Sequence, residues 1–194
     1  MESAVKKIDI LIGTDATKLE KILGWMAGIV GASLYLYFAL NDTFNWSIWQ
    51  YLLASFIAFD VVGGAVANSL NSCKQFYQSS PLANEPIYLR LVKNKLFFAA
   101  IHIHPLVIGS CFGSIDLLSG LFWYVALLVS VLITIKVPLY LSRPIAISFV
   151  AIAIILNYYA IEPIVGFEWF IPLLFLKIVL GHTVTEEPYR STSK

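Results

Sequence analysis

Charge is what this chain has least of. Only 13% of its 194 residues are Asp, Glu, Lys or Arg, against roughly 25% in an ordinary soluble domain, and 59% are hydrophobic against roughly 45–50%. That balance excludes a soluble globular domain and, for the same reason, a disordered chain. With only two cysteines, a disulfide scaffold is not expected. The net charge of +1 advertises no nucleic-acid partner. Histidine is scarce as well, three in all, and there is neither an internal repeat nor a low-complexity tract.

What fills the chain instead is long apolar runs. About 20 apolar residues cross the roughly 30 Å hydrocarbon core as a helix. Six stretches come near that length, at about 22–40, 46–68, 96–112, 117–137, 144–161 and 168–186. The expected fold is therefore all-α, a polytopic six-helix membrane bundle forming one integral membrane domain. The cations fall into alternate connections. Lys6, Lys7, Lys18 and Lys21 precede the first stretch, and Lys74, Arg90, Lys93 and Lys95 separate the second from the third. Lys136 and Arg143 lie at the fourth-to-fifth turn, and Lys177, Arg190 and Lys194 towards the end. The connections around Asp42, Asp116 and Glu162 to Glu168 carry none. The positive-inside rule then places both termini in the cytoplasm, and Trp46, Trp49, Trp123 and Trp169 mark outer-facing helix ends. Ser3 to Gly13 reads as a short interfacial helix. Asn84 and Glu85 suit the start of a helix at Pro86.

Ionisable groups at membrane depth are costly, so each is a functional candidate. At about 1.5 Å per residue, Asp60, His102, His104 and His182 all come out near one level, about 10 Å above the cytoplasmic boundary. The second, third and sixth stretches must then be neighbours. Asp60, Gly64, Asn68 and Asn71 form one stripe leading towards the cytoplasm. His102 and His104 are two apart and point away from each other on a regular helix, but Pro105 is expected to kink this turn. One of the two is expected in the polar site, the other serving packing or the kink. His182 and Glu186, four apart, face the same way on an α-helix and together suit one ion. Lys177, near mid-membrane, either snorkels to the cytoplasmic side or pairs with Asp60.

One Asp with three membrane-embedded His is similar to the inventory of the alkaline ceramidase and adiponectin-receptor type of metal-dependent membrane hydrolase. The resemblance implies zinc held by three His, with the Asp holding or activating a water. That family has seven spans and pairs two His at four-residue spacing on the last, where this chain offers His182 and Glu186. Lys136, Arg143 and Pro144 look like the first motif of membrane phosphatidic-acid phosphatases, whose other two motifs are absent. Neither likeness names a family.

Two function classes lead. The first is a metal-dependent enzyme, a hydrolase or oxidoreductase, acting on a lipid or apolar substrate from the cytoplasmic leaflet. One divalent ion, zinc rather than iron, is held by His102 or His104, His182, and Asp60 or Glu186. Asp60, Asn68, Lys136 and Arg143 serve the chemistry, the last three at a phosphate or oxyanion. The alternative is a small transporter or substrate-binding membrane subunit in which Asp60 and the His residues couple to protons or a cation. A third class, a homo-oligomer or scaffold subunit, docks a partner span on the small-residue face of Gly24, Gly28 and Gly31.

Overall fold

The structure is a computed structural model and describes residues 8–9, 12–42, 44–81, 85–112 and 116–185. Four helices are long and apolar enough to cross a membrane: α1 (Lys18–Asn41), α2 (Ile48–Ala67), α7 (Leu117–Lys136) and α8 (Leu139–Tyr159). Between α2 and α7 lie the short α3 (Asn71–Gln78), α4 (Ile87–Val92), α5 (Lys95–Ala100) and α6 (His104–Cys111). After α8 comes α9 (Phe170–Phe175), which runs on as a π-helical segment, Leu176–Thr183.

The starts of these helices are written locally. Thr17 and Glu20 form a capping box on α1, where the Glu20 carboxylate accepts from the Thr17 N–H at 2.8 Å and the Thr17 hydroxyl accepts from the Glu20 N–H at 3.2 Å. Asp116 caps α7 by accepting from the Ser119 N–H at 2.9 Å, and Asn94 caps α5 by accepting from the Phe97 N–H at 3.0 Å. Pro86 stands immediately before α4, as its position in the sequence leads one to expect.

Six spans are thus corrected to four. The third stretch is broken at Ile101–Ile103, and its two pieces together reach about 25 Å. Pro105 has no N–H to offer the Ile101 carbonyl, and its ring crowds that carbonyl. The sixth stretch is only about 21 Å long. It is the core of the molecule, with Phe170, Ile171, Leu174, Phe175, Ile178 and Val179 all buried. The outer helices differ sharply from it, since α1 and α8 bury only 17% of their most apolar window. A short apolar helix surrounded by protein and long apolar helices exposed around it is the layering a bilayer imposes.

The expected interfacial helix at the amino end lies mostly outside the described residues. Where backbone is described there, it pairs as a two-residue antiparallel ladder, Ile8–Asp9 against Gly13–Thr14, and not as a helix. Gly13, at φ +93, sits so close to the Ser72 backbone that a Cβ would collide with it. The Ser72 hydroxyl donates to the Ile12 carbonyl at 2.5 Å, which pins this segment under the bundle.

Gly28 and Gly31 pack against α2 within the chain, while Gly24 borders a cavity between the helices. A Cβ on Gly28 would stand 2.8 Å from the Phe59 ring, one on Gly31 2.7 Å from Val62, and one on Gly63 3.0 Å from the Gly28 Cα. The backbones of α1 and α2 approach across this seam as small-residue faces allow. Gly28→Val is expected to push α1 off α2 at a cost of about 1–3 kcal/mol. A lowered melting temperature with increased protease cleavage after Asn41 checks this; an unchanged melting curve would refute it.

Candidate functional site

Asp60 projects from the middle of α2 towards the core helix. Its Oδ2 accepts from the Lys177 ammonium at 2.5 Å and lies 3.4 Å from His104 Nε2. Lys177 is 3% exposed, so it does not snorkel, and one of the 13 cations counted towards topology belongs to the interior. Gly64, one turn along α2 from Asp60, makes room for it: a Cβ there would collide with the Lys177 stem. Asn68, one further turn on, donates from Nδ2 to the Lys177 carbonyl at 3.1 Å. The stripe Asp60, Gly64, Asn68 is therefore a track for one lysine. Asn71 leaves the stripe, because α2 ends at Ala67 and Asn71 starts α3 in an exposed position.

The second polar group comes from the break in the third stretch. The His102 N–H bonds to Ala99 O, leaving the Phe98 carbonyl to accept from His102 Nδ1 at 2.6 Å. A carbonyl only accepts, so Nδ1 carries the proton and Nε2 carries the lone pair. Tyr124 donates its hydroxyl to the Ala100 carbonyl at 2.8 Å, serving another acceptor that the break leaves open. His104 reaches Asp60 and His102 serves the break, yet both line the same cavity, where only one of the two was expected.

His182 sits apart. Its ring stacks on Phe98 at 3.7 Å and 11° and meets the edge of Tyr77 at 4.6 Å. It is buried, and neither ring nitrogen has a hydrogen-bond partner among the described residues.

These groups border a cavity of about 340 Å³ between α1, α2, α5 and the core helix. Asp60, Asn68, His102, His104 and Lys177 supply its polar wall, and Trp25, Phe56, Phe59, Tyr77 and Phe98 supply aromatic surface. Buried Ile12, whose carbonyl accepts from the Ser72 hydroxyl, also lines it. Beyond His104 the molecule is packed with aromatic rings, Trp46 stacking on Phe44 at 4.5 Å and meeting Phe112 at 4.9 Å. The sides are different. Trp25, Phe56 and Ile101 line the cavity and are 44%, 64% and 47% exposed. The exposed part of the cavity's rim is apolar.

Of the residues singled out from sequence, Asp60, Asn68, His102 and His104 share this cavity. His182 lies behind its Tyr77 and Phe98 wall. Lys136, at the end of α7, and Arg143, in the first turns of α8, are exposed and line no part of it. Glu186 lies outside the described residues. Among the described residues, no three of His, Cys, Asp and Glu converge to hold an ion. The place a cation would take on Asp60 Oδ2 is filled by the Lys177 ammonium. Of the residues expected to hold zinc or iron, Asp60 and His104 meet, His102 borders the same cavity and His182 does not line it.

Sequence spacing does not point to Tyr77 and Trp25 as site residues. Phe98 had a signal, standing four residues before His102 on one helical face. Compared with protein-family models, with curated proteins and with solved structures, the chain finds no match.

Proposed function

We propose that this chain is a multi-pass membrane protein that binds a small apolar ligand dissolved in the bilayer, and that Asp60, Lys177 and His104 couple that binding to proton movement. In this reading α1, α2, α7 and α8 cross the membrane and the two shorter apolar segments lie among them. The termini are cytoplasmic, on the side of Lys74 and Lys95. The observation that carries the reading is a charged pair, Asp60 with Lys177, left facing a cavity whose other walls are largely apolar. A purely structural bridge would be packed over; here Asp60 keeps 31% of its side chain exposed, towards the cavity it lines. Pockets for small apolar ligands combine apolar walls with a few convergent polar groups. An acid, an ammonium and an imidazole in contact are also the means by which membrane carriers hand on protons.

The test uses the protein in lipid nanodiscs with an apolar nitroxide probe dissolved in the bilayer. The part of the tryptophan quenching lost in Trp25→Phe should saturate with probe. Ala67→Phe, which fills the cavity from α2, should leave only the linear quenching of a lipid-facing ring, with its fold confirmed by circular dichroism. Equal, linear quenching in both proteins would overturn the reading.

A further inference from the structure

The wall of the cavity also specifies the polar head of its ligand; this inference rests on the binding function proposed above. Asp60 uses Oδ2 for both Lys177 and His104, so Oδ1 has no partner among the described residues and is free to accept. His102 commits Nδ1–H to the Phe98 carbonyl, so its Nε2 can only accept. Lys177 gives one of its three N–H groups to Asp60, and among the described residues no other acceptor takes the remaining two. The polar wall therefore presents acceptors beside a donor, and the ion pair leaves it with no net charge.

We infer that the ligand is an apolar alcohol, whose hydroxyl oxygen accepts from Lys177 while its O–H donates to Asp60 Oδ1 or His102 Nε2. A hydroxyl is both donor and acceptor, which is what the two sides of the wall ask for. An ether or ketone accepts only, and leaves Oδ1 and Nε2 unsatisfied in an apolar chamber. An ammonium adds a second cation beside Lys177. A carboxylate competes with Asp60 for that lysine and faces Oδ1 directly. Charging a neutral site at this depth is costly in either direction. The exposed apolar rim at Trp25, Phe56 and Ile101 lets the hydrocarbon tail trail into lipid, so the cavity need accommodate only the head and the first carbons.

The test is a series of ten-carbon chains carrying bromine at the far end as quencher and, at the head, a hydroxyl, a methyl ether, an amine or a carboxylic acid. Each is titrated into nanodiscs holding the intact protein, and quenching assigned to Trp25 is plotted against mole fraction in the bilayer. The alcohol should show saturable quenching, with the other three at least tenfold weaker. If the ether, amine or acid binds as tightly as the alcohol, the hydroxyl assignment is overturned and the cavity still binds apolar ligands. If none of the four saturates, the alcohol assignment is overturned; a nitroxide probe that also fails to saturate then removes the binding reading itself.

Discussion

Lys177→Met is expected to destabilise the protein by about 3–5 kcal/mol, because it leaves the Asp60 carboxylate without its cation in a low-dielectric interior. Met matches the length of the lysine stem, so the track past Gly64 and Asn68 stays filled and the loss comes from charge. Combining it with Asp60→Leu removes the stranded carboxylate, and replacing both members of a buried pair by apolar residues of similar volume is often neutral or stabilising. The double variant should therefore recover most of the melting temperature that the single variant loses. Thermal unfolding in detergent, followed by circular dichroism, reads both. A single variant as stable as the parent would mean that the pair is solvated and not held in the interior. The pair offers little reason to exist on stability grounds alone.

His182→Phe should do the opposite and raise stability. A buried imidazole with neither nitrogen bonded among the described residues carries a desolvation cost of about 1–3 kcal/mol that no partner offsets. Phenylalanine keeps the stack on Phe98 and the edge contact with Tyr77 while dropping both polar atoms. A higher melting temperature together with weaker ligand binding would mark His182 as a residue kept at the expense of stability. A fall of more than 1 kcal/mol would show that its nitrogens are satisfied after all.

Much of this arrangement is legible in the sequence, and the parts that are not have physical causes. Hydropathy finds apolar stretches but does not measure helix continuity. It therefore counts the broken third stretch and the short sixth one as equals of the long helices. Pro105 announced the break, and the break falls at the residues just before it. Depth reckoning from the rise per residue put Asp60, His102, His104 and His182 near one level; Asp60 and His104 meet, His102 borders the same cavity, and His182 packs against Tyr77 and Phe98 instead. The pairing of His182 with Glu186 assumed an α-helix, in which residues four apart superpose. The segment that carries His182, Leu176–Thr183, is π-helical and ends before Glu186, which lies outside the described residues. The ring of His182 turns to Phe98 and Tyr77, aromatic partners contributed by helices far away in sequence. Lys136 and Arg143 suited a phosphate by type and spacing alone, and spacing between two helix ends says nothing of which cavity they border.

The central claim is that the charged pair belongs to a ligand site and is more than a brace between helices. The Asp60→Leu, Lys177→Met double variant separates these, because it keeps the fold while removing every charge from the cavity wall. Saturable quenching of Trp25 by the apolar nitroxide probe in nanodiscs should be present in the parent and lost, or weakened at least tenfold, in a double variant of equal melting temperature. Saturable binding of equal affinity in the two proteins would contradict the account and reduce Asp60 and Lys177 to a structural bridge.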